Sequence, residues 1–199
     1  EKRYLEAAIQ IANTLAKQLK PGDENNSPLP FKVNAFTGEI GILKSNSGDR
    51  TDAGLSNYTT NWSGTAQLFL ELIKLNQGDV AGYKHGLTTI ISWMKQYPMK
   101  NNKWGPFFED IPGWSDTQIN AMTWARFIMN HPAYFPEWKA DVHRIIDWVY
   151  KTLGNDSWKK YGVTVVNEQT AYQTPGNSHT SRQAADELLL GFLSGDHSR

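Results

Sequence analysis

The sequence has 199 residues, of which 39% are apolar and 20% are charged, and this suits a single globular domain over residues 1–199 with a sizeable core. Lys plus Arg and Asp plus Glu both number 20, so the net charge is zero and the basic excess typical of a nucleic-acid-binding protein is missing. Because no run approaches about 18 consecutive apolar residues and cysteine is absent, we expect no membrane-spanning helix, no disulfide and no thiolate chemistry.

The first three predicted helices alternate in their pattern of apolar residues. A helix over about 2–19 has its apolar residues on one face, which is typical of a helix that lies on a surface. A second helix, over about 61–76, is apolar almost all round and is predicted to be buried. A third, over about 80–96, is amphipathic again and ends before Pro98.

The next three predicted helices continue this alternation. A fourth helix over about 115–130 is apolar on most sides, and a sixth over about 179–194 is also predicted to be a buried, inner helix. Between them, a fifth helix over about 138–153 is amphipathic, with Gly154 as its C-cap. Its exposed residues are predicted to be Asp141, His143, Arg144 and Asp147.

Two inserts between the helices have the composition of β-strands. Residues 31–34 and 39–43 flank a turn at Thr37 and Gly38, which predicts a small hairpin. Residues 162–166 form a β-branched run that is typical of a strand. The segment 44–57 is rich in Ser, Asn, Gly, Asp and Thr, which indicates a loop.

The sequence repeats itself with an offset of 55 residues. The stretch 83–94 recurs over 138–149 without a gap, so that Trp93 matches Trp148. A fixed offset of this size indicates a repeated supersecondary unit, which here is a pair of helices. The preceding helices keep the same offset, with Trp62, Ala66, Phe69 and Ile73 against Thr117, Ala121, Trp124 and Ile128. We therefore expect an all-α fold of three helical hairpins, in which outer and inner helices alternate.

This alternation resembles the α/α-toroid, or six-hairpin, superfamily of carbohydrate-active enzymes. In that superfamily, outer and inner helices alternate around a ring, and the loops that lead into the inner helices line a sugar-binding cleft. Segments with the character of such loops are 61–64, 104–110, 167–169 and 178–182. The resemblance implies a toroid-like fold with small β-hairpin inserts, in which three hairpins form a partial ring that a longer chain or self-association completes.

The resemblance also indicates where chemistry would lie, because the loops that lead into the inner helices combine acidic and aromatic residues. Aromatic rings stack on the apolar faces of sugars, while paired carboxyl groups protonate a glycosidic oxygen and activate water or attack. The candidate catalytic residues are Glu168, Glu109, Asp110 and His179. The candidate substrate-binding residues are Tyr58, Asn61, Trp62, Trp104, Trp114, Asp116, Tyr172 and Arg182.

Several of these residues also have a structural interpretation. Asp116 and its neighbour Ser115 are natural N-caps of the fourth helix, and Ser178 or Thr180 is a natural cap of the sixth. In the structural interpretation, Arg182 donates hydrogen bonds to loop carbonyl groups and does not contact a ligand. At the equivalent repeat positions, Trp93 and Trp148 are predicted to pack in the core.

Three functions remain open at this stage. The leading hypothesis is a glycoside hydrolase with paired carboxylates, acting on an oligo- or polysaccharide. The first alternative is a polysaccharide lyase, in which His179 or Tyr172 abstracts a proton from a uronate and Arg182 or Asn61 offsets its charge. The second alternative is a non-catalytic helical-repeat module that binds a protein or a glycan, because fold does not imply function.

We predict no cofactor and no metal. No two His residues have the i, i+4 spacing of a zinc helix, and the EF-hand pattern is missing. A carbohydrate is the predicted partner, with neither nucleic acid nor membrane. The resemblance favours export to a bacterial periplasm or cell exterior, whereas the composition suits the cytoplasm equally well.

Overall fold

The computed structural model describes residues 2–41, 62–104, 117–167 and 173–196. These residues are mostly helical, with one small two-stranded antiparallel sheet. The prediction of a mainly helical fold is therefore confirmed. The chain separates into two compact units, Glu1–Asn101 and Asn102–Arg199. No helix in the described ranges combines the length and apolar character needed to cross a lipid bilayer.

The described residues of the first unit form four α-helices. They are α1 (Lys2–Lys17), α2 (Trp62–Leu75), α3 (Val80–Gln96) and α4 (Pro98–Asn101). The carboxylate of Asp79 begins α3 by accepting a hydrogen bond from the backbone N–H of Gly82 at 3.0 Å. Pro98 follows this helix but also begins α4, a single turn that the sequence analysis did not predict, because proline fits the first position of a helix.

The core of the first unit lies mainly between α2 and α3. The ring of Phe69 stacks on that of Tyr83 with 5.4 Å between centroids, and both side chains are fully buried. Gly86 in α3 leaves room for this ring, since a Cβ atom there would lie 2.5 Å from Phe69 Cε2. Trp93 is also buried, as predicted, and its indole N–H donates to the carbonyl oxygen of Asp23 at 2.8 Å.

The predicted hairpin after α1 is confirmed within the described residues. Val33 and Ile40 form an antiparallel bridge, and the N–H of Asn34 donates to the carbonyl of Glu39 at 2.9 Å. Gly38 adopts a φ of 75° in the turn, a conformation that favours glycine. Residues 42 and 43 of the predicted strand, and the predicted loop 44–57, lie outside the described residues.

In the second unit, the residues that the structure describes form three α-helices and the small sheet. The helices are α5 (Thr117–Asn130), α6 (Trp138–Leu153) and α7 (Asn177–Ser194), and the strands are β1 (Gly154–Asn155) and β2 (Val165–Val166). Short 3-10 helices span Pro132–Tyr134 and Asp156–Tyr161. Gly154 pairs with Val166 and Asn155 with Val165, so the predicted strand over 162–166 forms only at its end.

The structure confirms the repeat of helical hairpins. α2 begins at Trp62 and ends at Leu75, and α5 begins at Thr117 and ends at Asn130, in both cases 55 positions later. Buried core residues match across this offset, among them Ala66 with Ala121, Phe69 with Trp124, and Ile90 with Ile145. Each unit therefore contains one copy of the same pair of packed helices.

The structure corrects the prediction for α7. Its polar residues Gln183 and Asp186 are buried, whereas Leu188 is 75% exposed and Phe192 80% exposed. The prediction of a buried apolar helix is therefore wrong for these leucine and phenylalanine side chains. Polar residues face inward because α5 offers them hydrogen-bond partners, as described below.

Two smaller predictions about helix ends and exposure also need correction. Asp141 is buried, and its carboxylate pairs with Arg144 one turn further along α6. The N-cap of α7 is Gly176 with no side-chain cap bond, so the capping roles predicted for Ser178 and Thr180 are wrong. The hydroxyl of Thr180 instead accepts a hydrogen bond from the N–H of Val166 at 3.0 Å and joins α7 to β2.

Candidate functional site between α5 and α7

An open groove of about 470 Å³ lies where α7 packs against α5 in the second unit. Both helices contribute polar side chains to it. The lining residues are Thr123 and Arg126 from α5, and Ser178, Ser181, Arg182, Ala185 and Asp186 from α7. We refer to this depression as the α5–α7 groove.

A buried ion pair forms the inner part of the groove. Arg126 donates from Nε and from Nη2 to the same carboxylate oxygen of Asp186, Oδ1, at 2.6 Å in both cases. The Asp186 side chain is 1% exposed, whereas that of Arg126 is 48% exposed. The guanidinium therefore reaches from the buried carboxylate to the open side of the groove.

The second carboxylate oxygen of Asp186, Oδ2, is buried and has no hydrogen-bond partner among the described residues. Burial raises the pKa of this carboxyl above its ordinary value of 3.8, although the hydrogen bond and charge of Arg126 and the charge of Arg182 act in the opposite direction. The cost of desolvating the charged form therefore exceeds the benefit of its cationic neighbours. An acidic group with these properties is typical of a functional site, although structural ion pairs share them.

A second arginine reaches the groove from α7, and a buried glutamine positions it. Arg182 donates from Nη1 to Oε1 of Gln118 at 3.4 Å, and the Nε2 group of Gln118 donates to the backbone carbonyl of His179 at 3.1 Å. Gln118 is fully buried and also contacts Oε1 of Gln183 at 3.5 Å. This network fixes α7 against α5 and holds the Arg182 guanidinium beside the groove.

The hydroxyl groups of the groove complement the two arginines. Thr123 donates to the carbonyl of Ile119 at 2.9 Å, and Ser181 donates to the carbonyl of Asn177 at 2.8 Å. Because each hydroxyl hydrogen is used within its own helix, the oxygen lone pairs remain as acceptors. The groove therefore combines guanidinium donors with hydroxyl acceptors, which suits a ligand that carries both a negative charge and hydroxyl groups.

The groove belongs to one copy of the repeat. Thr123 and Arg126 of α5 correspond to Leu68 and Glu71 of α2, at the same offset of 55 positions. Glu71 carries the opposite charge and pairs on the surface with Lys74 at 2.8 Å. The two helices thus share their core residues but differ at the positions that form the groove.

Of the four candidate residues that lie in the described ranges, Arg182 alone lines the groove. Trp62 is 1% exposed and packs against Trp93 with 5.4 Å between ring centroids. Trp104 is fully buried against Trp148, and its carbonyl accepts a hydrogen bond from the side chain of Asn120 at 2.9 Å. These two indoles are core residues of their units, because no open surface reaches them for stacking on a sugar.

His179, a candidate catalytic residue and one of the two candidate bases of the lyase alternative, is also buried, with 5% of its surface exposed. Its ring lies against Gly176, where a Cβ atom would approach Nδ1 to 2.6 Å, so the imidazole is a packing group at the start of α7. The other predicted site residues lie outside the described residues: Tyr58, Asn61, Glu109, Asp110, Trp114, Asp116, Glu168 and Tyr172. Arg126, Asp186 and Gln118 are not among the site residues predicted from the sequence.

In the described ranges, no group of three His, Asp or Glu side chains comes together as a metal site. No family model, curated protein or solved structure matches this chain. The chemistry of the α5–α7 groove is therefore the basis for a functional assignment.

Proposed function

We propose that this chain is a carbohydrate-active protein of the toroid type and that its α5–α7 groove binds an acidic saccharide. The observation that carries the proposal is the presence of two arginines, Arg126 and Arg182, beside one buried carboxyl group, Asp186. The groove thus has an excess of positive charge, and protonation of Asp186 would increase it. The planar carboxylate of a uronic acid matches the geometry of a guanidinium group.

The groove residues also favour a sugar acid over a simple anion. Thr123 and Ser181 present acceptor oxygens within the same groove, and a sugar ring provides hydroxyl donors for them. A volume of about 470 Å³ lies within the range of small-molecule sites and suits one or two sugar rings. The repeat of helical hairpins supports the toroid part of the proposal, since a helical hairpin is the repeating unit of that superfamily.

For the reaction, we retain glycoside hydrolysis with Glu168 and Glu109 or Asp110 as the paired carboxylates that the sequence predicts. Asp186 holds Arg126 in place and is not assigned a reacting role, because its free oxygen is buried. The second candidate reaction is β-elimination on a uronate polymer. The two arginines favour it, because a lyase requires cationic groups that offset the uronate charge.

The binding proposal is tested with an Arg182→Ala variant and polygalacturonate as the acidic polymer. We expect a loss of affinity of about 10-fold or more, because a charge-assisted hydrogen bond contributes roughly 1.5–3 kcal/mol. Arg144→Ala is the matched control, since it removes an arginine from the second unit that does not line the groove. Equal affinity of Arg182→Ala and the wild type for this polymer would contradict the proposal.

The reaction is tested on the same polymer by two readouts. Hydrolysis releases reducing ends without ultraviolet absorbance, whereas β-elimination creates a double bond that absorbs in the ultraviolet. A Glu168→Gln variant is expected to lose turnover by hydrolysis and to retain binding through Arg182. Binding of the acidic polymer without either product identifies a non-catalytic glycan-binding module.

A further inference from the structure

A second candidate site lies on the connection between β1 and β2, away from the residues of the α5–α7 groove. The 3-10 helix Asp156–Tyr161 and the residues that follow it line a shallow depression of about 570 Å³. Its lining residues are Ser157, Trp158, Lys160, Tyr161 and Val163. We call this surface the aromatic platform.

The platform exposes two large aromatic side chains in the second unit. Trp158 is 50% exposed and Tyr161 is 68% exposed, whereas most tryptophans of the described chain are buried in the core. In a 3-10 helix, side chains three positions apart lie directly above one another, and this places the two rings side by side. Their centroids are 6.5 Å apart and their planes meet at 81°.

The backbone beneath the platform is fixed at both ends. The side-chain oxygen of Asn155 accepts a hydrogen bond from the N–H of Ser157 at 2.8 Å, and Asn155 itself pairs with Val165 in the sheet. Gly162 ends the 3-10 helix with a φ of 75°, and its N–H donates to the carbonyl of Lys159 at 2.8 Å. The backbone that carries the two rings is therefore fixed while both side chains stay exposed, and a fixed backbone lowers the entropic cost of binding a ligand.

The platform also carries polar groups beside its rings. The ammonium group of Lys160 lies 4.9 Å from the centre of the Tyr161 ring, and Ser157 lines the same depression. Lys159 points its charge elsewhere, because it pairs with Asp156 at 3.3 Å. An apolar ring surface with an adjacent hydrogen-bond donor suits a ligand that has one apolar face and a polar rim.

We propose that the aromatic platform is a saccharide-binding surface in which Trp158 and Tyr161, whose planes meet at 81°, stack on different sugar rings of a polysaccharide. The C–H groups on one face of a pyranose would lie on an aromatic ring and leave water, while the hydroxyl groups on its rim would reach Lys160. The platform comprises five lining residues, far fewer than the roughly 20–30 residues on each side of a stable protein–protein interface. Its volume lies within the range of small-ligand sites.

This inference rests on the proposed carbohydrate function but concerns a separate set of residues. The platform holds the polymer, and the α5–α7 groove recognises an acidic unit of it. A polymer that engages two sites gains affinity over a short fragment that reaches one. The platform therefore extends the proposed ligand class from an acidic sugar to a polysaccharide chain with stackable rings.

The test is electrophoresis of the full chain in native gels that contain polygalacturonate, arabinoxylan, galactomannan or hydroxyethyl cellulose. We expect Trp158→Ala and Tyr161→Ala each to raise the dissociation constant by about fivefold, the order expected for one aromatic contact, and Trp158→Phe to retain most of the affinity. Tyr4→Ala is the control, because Tyr4 is 80% exposed on α1 and lies outside the platform. Circular dichroism and the melting temperature verify that each variant is folded.

The outcomes separate the two proposals. If Arg182→Ala weakens binding and Trp158→Ala does not, the platform is not a saccharide site and the proposed function stands. If Trp158→Ala weakens binding and Arg182→Ala does not, the platform stands and the acidic specificity of the groove is wrong. Equal losses for Tyr4→Ala and Trp158→Ala, or a wild-type chain that no polymer retards, overturn the platform.

Discussion

The indole N–H of Trp93 donates to the backbone carbonyl of Asp23 at 2.8 Å, and this bond ties the segment after α1 to α3. Trp93 is buried, and its ring also packs against Trp62. Trp93→Phe removes the hydrogen bond and part of the packing, so we expect the free energy of unfolding to fall by about 2 kcal/mol. The measurement is urea denaturation followed by circular dichroism.

Trp148→Phe provides the matched control for this variant, because Trp148 occupies the equivalent repeat position on α6 and is less buried. We expect this control to lose less stability than Trp93→Phe. Equal losses for the two variants would show that the bond to Asp23 contributes nothing measurable.

The close approach of α2 and α3 at Gly86 gives a second prediction. Alanine favours a helix by about 1 kcal/mol over glycine, but its Cβ would lie 2.5 Å from the buried ring of Phe69. Overpacking of this kind costs about 1–3 kcal/mol, so Gly86→Ala should be destabilising overall. In a Phe69→Leu background the same substitution should become neutral or stabilising, and a double-mutant cycle by urea denaturation measures this coupling. Additive effects in the cycle would show that a side chain at position 86 does not clash with Phe69.

The buried carboxyl of Asp186 gives a pH-dependent prediction. Because its pKa is raised in the folded protein, the folded state binds this proton more tightly than the unfolded state. The stability that protonation contributes is therefore lost as the pH rises from 3.8, the ordinary pKa of this group, through the raised pKa of the folded protein. Asp186→Asn lacks this titration, so its stability relative to the wild type should increase as the pH is raised from about 4 to about 7.

Thermal melts of both proteins across this pH range provide the measurement for Asp186. Asp147→Asn, which alters an exposed carboxyl on α6, controls for the loss of one negative charge. Arg126 is half-exposed, so water can solvate it when the carboxylate is removed. If the stability of Asp186→Asn relative to the wild type fell with rising pH, the pKa of Asp186 would not be raised in the folded protein.

The beginnings of α3 and α6 differ in a way that can be measured. Asp79 accepts a hydrogen bond from Gly82 at the start of α3, whereas Glu137, at the start of α6, makes no side-chain cap bond. We expect Asp79→Ala to lower the free energy of unfolding by about 1 kcal/mol and Glu137→Ala to change it by less than about 0.5 kcal/mol. The free energy of unfolding of both variants is measured by chemical denaturation. Similar losses for the two would show that the cap bond of Asp79 does not stabilise the protein.

The sequence predicted the helices of the repeat well because their ends are marked locally. The bounds of α3 and α6 agree with the predicted ranges, since Pro98 and Gly154 follow them and their apolar residues recur with the helical period. The inward side of α7 was predicted incorrectly, because periodicity assumes that apolar residues face the core. Gln183 and Asp186 reverse this rule through partners on α5 that are some 60 positions away in sequence.

Of the charged residues that line the groove, Arg182 was predicted, whereas Arg126 and Asp186 were not, because the contact between them joins two distant helices. Arg182 was identified from its place at the start of an inner helix, whereas Arg126 and Asp186 look like ordinary surface charges of two separate helices. A usable signal was present in the repeat, because Arg126 replaces Glu71 at a position where the two copies otherwise keep the same helix. A difference between repeat copies indicates a residue that the common packing does not require.

The paired hairpins therefore provide an internal reference within a single polypeptide. Substituting Thr123 and Arg126 with the residues found at positions 68 and 71 would remove the hydroxyl and the guanidinium that α5 contributes to the groove, while the core residues shared by the two copies stay unchanged. Such a graft tests whether the proposed ligand recognition depends on the two positions at which the copies of the repeat differ, with α2 as the template.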